Sequence, residues 1–278
     1  MDPQDILAEH DKFLDSLISV FEDKLKPVLS KAQKATLKAL EKKLSFASDG
    51  TIEKTPANQR VLRSVARIFQ RQITRAGYDK VVTAFTDQFA DHLPKFQKVL
   101  NDISDTLATP LPEVKFTGAD IDLFASQALG AKDMLLDVVD ATAAAAKRQA
   151  LFNVGGMKFS DLVDTLASQF DKTLSQAKLI ADTSVSALYR TIADQSYKQI
   201  EKGLPEGAVF YQYLGPDDQL TRPFCEDLLA RTADKPMTRE EINDLDNGSG
   251  LPVWTSGGGW NCRHTIVLAV PEASQRAA

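Results

Sequence analysis

The sequence predicts a mainly α fold: a multi-helix body over residues 1–202 carrying a small C-terminal α+β module over residues 203–278. Two observations predict it. Apolar residues recur at three- and four-residue spacing through the first two hundred positions, which is the pattern of amphipathic helices. After Gly203 the composition changes. Eight of the 14 glycines, six of the 12 prolines, both tryptophans and both cysteines lie in residues 203–278, so this last stretch reads as loops joining short elements.

The elements follow in order. Phe13, Leu14, Leu17, Ile18, Phe21 and Leu25 make one apolar stripe, and Pro27 is expected to kink or restart that helix. Val28, Leu29, Ala32, Leu40 and Leu44 continue the pattern to a break near Ser48-Asp49-Gly50. Thr55-Pro56 reads as an N-cap with proline at the first helical position, opening a helix to about Gly77. A further helix spans about Asp79 to Ser104, bent at Pro94. Thr109 to Thr117, with Pro110 and Pro112, reads as a connection. The alanine-rich pattern from Asp120 to Phe152 is helical and stops at Gly155-Gly156. Ser160 caps a short helix through Phe170, and a long one runs from about Lys172 to Lys202 and is expected to pack into the module. Val209–Tyr213 and Thr265–Val270 are β-prone, with helical patches at Pro223–Leu229 and Thr238–Leu245 between them.

Bulk properties exclude some classes. With 278 residues, 43% hydrophobic and 26% charged, the chain has the composition of a globular protein with a sizeable core. No apolar run is long enough for a membrane helix, and Met1-Asp2-Pro3-Gln4-Asp5 lacks the basic-then-apolar pattern of a signal peptide. Two cysteines make no disulfide framework and read as reduced thiols or ligands. The net charge of −5 is unevenly spread: residues 1–100 hold 17 Lys+Arg against 13 Asp+Glu, a balance of +4, and the rest a balance of −9. Different partners at the two ends would produce that split, and so would solvated helix faces.

Arg60, Arg63, Arg67, Arg71 and Arg75 step by three or four residues and so share one helix face, with no acid between Thr55 and Tyr78. Like charges in a row repel unless anions sit opposite them. A carboxylate-rich protein surface and a DNA backbone are the candidate partners beside a plain solvated face. Lys24, Lys26, Lys31, Lys34, Lys38, Lys42 and Lys43 add a second basic stretch. No aromatic residues interleave with the arginines, so a base-stacking platform is not expected.

The chemistry-bearing segment runs from Tyr211 to His264. It contains Asp217, Asp218, Thr221, Arg222, Pro223 and Cys225, then Gly257-Gly258-Gly259-Trp260-Asn261-Cys262-Arg263-His264. Thr221 or Asp218 is expected to cap a helix starting at Pro223. Cys225 would lie in its first turn, where the helix dipole lowers a thiol pKa. Cys225, Cys262 and His264 are three candidate zinc ligands, with Asp217 or Asp218 as a fourth. The spacing lacks paired Cys-x-x-Cys knuckles, so the favoured expectation is no cofactor. On that reading the cysteines are buried, His264 bonds the Asp217-Asp218 turn, and Arg222 and Arg263 pair with Asp218 or Glu226. A Cys225–His264–Asp thiol catalyst is the enzymatic alternative, without a supporting local signature. His10 and His92 read as structural. Trp254 and Trp260 read as core or lid residues of the module, or as a partner anchor.

The pattern Asp-x-x-Thr-Arg-Pro-x-Cys followed by Gly-Gly-x-Asn-Cys-Arg-His resembles the C-terminal signature of phage Mu F-like minor head proteins. Ala181-Asp182-Thr183-Ser184 lies where that family carries an Ala-Arg-Thr-Glu-like helix and is only similar to it. The resemblance covers about residues 160–270. It implies a non-enzymatic head-morphogenesis protein of the virion, assembled in the host cytoplasm. It also implies contacts with portal or major capsid protein and a role in DNA packaging or ejection. The alternatives are an internal virion protein that binds DNA and is ejected with the genome, or a metal-dependent effector.

Overall fold

The computed structural model describes residues 3–105, 114–152, 157–205 and 207–269. Helices dominate it: α1 (Pro3–Glu41), α2 (Pro56–Arg63), α3 (Val65–Ala76), α4 (Tyr78–Ser104), α5 (Gly118–Phe152) and α6 (Phe159–Lys202). The remainder comprises β1 (Phe210–Leu214), α7 (Pro223–Asp234), α8 (Arg239–Asn243), α9 (Val253–Ser256) and β2 (Thr265–Ala269). The fold is mainly α with a small α+β module, as the sequence predicts. Among the described residues no helix is long and apolar enough to cross a membrane. The Gly155-Gly156 stop, Pro110, Pro112 and Val270 lie outside the described residues.

Several element boundaries differ from the sequence reading. α1 does not restart at Pro27 but continues through it, while α4 is the single helix expected, with Pro94 inside it. A proline inside a helix forfeits one backbone hydrogen bond, but Leu25, Leu29 and Ala32 around Pro27 and Phe89 and Phe96 around Pro94 are buried. Packing of that face outweighs the single lost bond. The helix read from Pro56 to Gly77 is two helices. Ser64 ends α2 by turning its N–H and hydroxyl onto the Val61 carbonyl, at 2.9 and 2.7 Å. The reading that split the chain near Phe170 fails in the opposite sense. No glycine or proline interrupts residues 159–202, so α6 is one helix of 44 residues, with Ser160 inside its first turn and not at its cap.

The chain divides into two compact units. One comprises Leu17–Asp87 and Gly130–Ala181. Its core includes Leu40, Leu44, Leu62, Val65, Ala146, Leu162 and Leu166. Phe21 meets Phe85 and Phe69 meets Phe170, at ring separations of 4.4 and 4.7 Å. Buried Asn58 stitches the loop before α2, accepting from the Ser45 N–H and donating to the carbonyls of Ser45 and Glu53. All five α2–α3 arginines, from Arg60 to Arg75, are exposed on this unit.

The other unit comprises Met1–Ser16, Gln88–Leu129 and Asp182–Ala278. β1 and β2 pair antiparallel in it, with Tyr213 opposite Ile266 and Leu214 opposite Thr265. The late turns of α6 form the floor of this sheet: the Tyr197 hydroxyl donates to the Ile266 carbonyl at 3.2 Å. Arg239 of α8 pairs with Asp194 and Glu201 of α6 at 2.6 and 2.7 Å and lies 4.0 Å over the Trp254 ring. Trp254 is thus a buried core residue, whereas Trp260 is exposed.

Candidate functional site: a buried Cys–Cys–His centre

The site is made by two segments closing on each other. The first leaves β1 at Gly215, where a Cβ would come within 2.6 Å of the His264 ring. Only a glycine lets that ring lie so close to the turn. The Pro216 carbonyl then accepts from His264 Nε2 at 2.8 Å and from the Thr221 hydroxyl at 3.0 Å. Asp218 and Thr221 serve the turn itself: the Asp218 N–H donates to Thr221 Oγ1 and the Leu220 N–H to Asp218 Oδ1, both at 2.9 Å. Neither caps α7. That helix starts with Arg222 at its N-cap and no side-chain cap, because the two expected capping groups are already spent in the turn.

The second segment is Gly257–His264. A Cβ on Gly258 would lie 2.3 Å from Cys225 Sγ, so the backbone itself is packed against the thiol. The Gly258 N–H donates to Cys262 Sγ at 3.1 Å, and the His264 N–H reaches the same sulfur at 3.5 Å. Asn261 takes the left-handed conformation, with φ 56°, which reverses the chain into β2, and its N–H donates to Thr183 Oγ1 of α6.

These segments place Cys225, Cys262 and His264 together, all buried, with their ligand atoms within 4.8 Å of one another. The sulfurs are 3.9 Å apart, and Cys262 Sγ is 3.7 Å from His264 Nδ1. Tyr213 completes the cluster. Its hydroxyl is 3.6 and 3.4 Å from the two sulfurs, and its ring stacks on His264 at 5.2 Å. Because His264 Nε2 faces a carbonyl, that nitrogen carries the proton, and Nδ1 keeps its lone pair toward the sulfurs.

His264 bonds the turn through the Pro216 carbonyl, because its ring follows the chain into the space left by Gly215. One expectation about charges needs correction: among the described residues Arg222 pairs with no acid. It donates to the carbonyls of Gly258 and Trp260, fastening the glycine loop over α7. Arg263 does pair with Asp218, in a two-pronged contact at 2.8 and 2.6 Å that holds the Asp218 carboxyl down to about 2. That pairing removes Asp218 as a fourth ligand, and Asp217 is exposed on the turn.

The thiols are also unlike the expectation. Cys225 sits in the first turn of α7, yet its thiol is pushed up, not down, because it donates to Cys262 and is buried. Cys262 receives that hydrogen bond and is held toward the thiolate, with further help from the nearby Arg190 guanidinium and the Tyr213 hydroxyl. Local hydrogen bonding outweighs the helix dipole here.

Sequence reasoning missed Arg190, Tyr213 and the cleft beside them. Arg190, on α6 and 5% exposed, donates to the carbonyls of His264, Cys262 and Thr255. A charged residue in the middle of a long helix gives no local signal of such a role. The cleft, of about 230 Å³, is bordered by Cys262, His264, His10, Asp11, Tyr189 and Arg190. Both ring nitrogens of His10, the Tyr189 hydroxyl and the Thr265 hydroxyl are buried there without hydrogen-bond partners among the described residues. Chemically, the centre offers a thiolate, a second thiol and an imidazole lone pair converging on one point. The arginines of α2 and α3 form a separate exposed face: Arg60, Arg63, Arg67, Arg71 and Arg75 make no ion pair among the described residues. No family model, curated protein or solved structure matches this chain.

Proposed function

We propose that this protein is a minor head protein of the phage Mu F-like kind, acting in head morphogenesis and in DNA packaging or ejection. It works through protein–protein contacts with portal or major capsid protein and performs no catalysis. It resides in the virion and is assembled in the host cytoplasm. One observation carries the reading: the two separated stretches that resemble the family signature, residues 217–225 and 257–264, fold against each other as one unit. Arg263 grips Asp218, Arg222 grips the glycine loop, and the cysteines meet behind them. A motif whose members mainly hold one another in place suits a rigid docking element. The test is to tag the chain in a phage-producing host and identify what purifies with assembled heads. Recovery with portal or capsid protein in virions is the expected result. Absence from purified heads, with the protein abundant in the lysate, would refute it.

A second reading, a DNA-binding internal virion protein, is favoured by the five exposed arginines, which have no ionic partner among the described residues. Its mark is binding to duplex DNA that weakens steeply with salt, each neutralised phosphate adding about −0.9 to the log–log slope.

A further inference from the structure

We infer that Cys225, Cys262 and His264 form a zinc site. A tetrahedral Zn²⁺ with bonds of about 2.3 Å to sulfur and 2.0–2.1 Å to imidazole nitrogen separates its sulfurs by roughly 3.8 Å, and sulfur from nitrogen by roughly 3.6 Å. In the structure the sulfurs are 3.9 Å apart and Cys262 Sγ is 3.7 Å from His264 Nδ1. The third edge, from Cys225 to His264, lies within 4.8 Å and closes by about an ångström when an ion draws the donors in.

The surroundings are those of a metal centre and not of two packed thiols. His264 gives its other nitrogen to the Pro216 carbonyl at 2.8 Å, the arrangement that orients a ligating imidazole and raises its basicity. Cys262 Sγ accepts from the Gly258 amide, is approached by the His264 amide, and lies 3.4 Å from the Tyr213 hydroxyl, so donors already surround the sulfur that would carry negative charge. Gly258 has no room for a side chain on the sulfur side, so the loop leaves only the space that the donors need. A disulfide would need the sulfurs near 2.0 Å, about half their separation. Two thiolates and one imidazole select a borderline-soft ion, and a Cys₂His set suits Zn²⁺. The fourth corner goes to a water, because the cleft of about 230 Å³ reaches Cys262 and His264. Loading the ion displaces thiol protons to solvent. The ion would clamp α7, the glycine loop and β2 together, and this inference stands independently of the assembly reading.

The experiment uses the full chain, purified without chelator. Zinc is counted by elemental mass spectrometry, and Co²⁺ is titrated into metal-stripped protein while its visible and near-ultraviolet absorption is followed. Expected are one ion per chain, the intense bands of tetrahedral cobalt with thiolate charge transfer, release of protons on loading, and a melting temperature that falls with chelator. Cys225→Ser and Cys262→Ser each lose charge-transfer intensity, whereas His264→Cys retains a tetrahedral spectrum with an added thiolate. The cobalt titration of the unaltered chain needs no variant to fold. Freely titrating thiols with no cobalt spectrum would overturn the site. So would an intact mass short of two hydrogens, which marks a Cys225–Cys262 disulfide.

Discussion

Arg190 Nε donates to the main-chain carbonyl of His264 at 2.9 Å, across 74 positions of sequence. The same guanidinium also reaches the carbonyls of Cys262 and Thr255. One buried side chain of α6 therefore supplies hydrogen bonds that the backbone from the end of α9 to the start of β2 cannot make for itself.

Replacing Arg190 by Met keeps much of its volume and removes those donors. Each buried carbonyl left unpaired costs about 1–3 kcal/mol, so the loss should be about 3 kcal/mol or more. Urea unfolding of the purified variant measures it. A midpoint unchanged from that of the unaltered protein would show that the contact is not a support of the module.

Two glycines give opposite expectations. Gly258→Ala places a Cβ 2.3 Å from Cys225 Sγ, so either backbone or thiol must move, and a loss of roughly 1–3 kcal/mol follows. Gly130 lies on the exposed side of α5 with nothing within 4 Å of an added Cβ, so Gly130→Ala should raise stability by roughly 0.5–1 kcal/mol. Thermal melts of the two variants separate close approach from simple helix propensity.

The arginine face should be separable from the fold. Arg63→Glu with Arg67→Glu alters exposed groups, so stability should stay within about 0.5 kcal/mol. Binding to duplex DNA, measured by anisotropy across a salt series, should weaken and show a shallower salt slope. Identical slopes for variant and parent would remove DNA from the candidate partners of this face.

The pH response should be set by a neighbouring pair. Burial, and then Lys95, pushes His10 down to about 3, so from its ordinary value of 6.5 down to 3 the unfolded chain binds a proton that the folded chain refuses. Stability therefore falls as the pH is lowered through that window, by up to about 1.4 kcal/mol per pH unit. Burial, and then Asp15, pushes Asp11 up to about 6 from 3.8, while Arg263, His264 and Arg190 pull the other way. Between 6 and 3.8 the folded chain holds a proton on Asp11 that the unfolded chain has released, which opposes the His10 effect. The unaltered protein should show little change across this interval, and Asp11→Asn a continuous decline below 6.5. Urea midpoints taken from pH 4 to 7.5 decide it. Parallel profiles for the two proteins would rule out this coupling.

Much of the α-helical organisation was legible because each helix carries its own stripe of apolar residues, and a 3.6-residue period survives without knowledge of neighbours. The helix boundaries that failed were those where local and tertiary preferences compete. Pro27 looks like a break until the burial of Leu25 and Leu29 is known. Ser64 looks unremarkable in sequence until its hydroxyl turns onto Val61.

The sequence by itself determined the mainly α fold class, the change of character after Gly203, and the residues around which a site is built. Cysteine, histidine and glycine in that pattern already restrict the chemistry. Only the tertiary structure decided their roles. It gave His264 to a carbonyl, Arg222 to the glycine loop and the thiolate character to Cys262, and it brought Arg190 and Tyr213 to the centre. The physical reason is distance. Periodicity reports which face of an element is apolar, but a hydrogen bond made across 74 residues depends on how the backbone returns, and nothing local encodes that path.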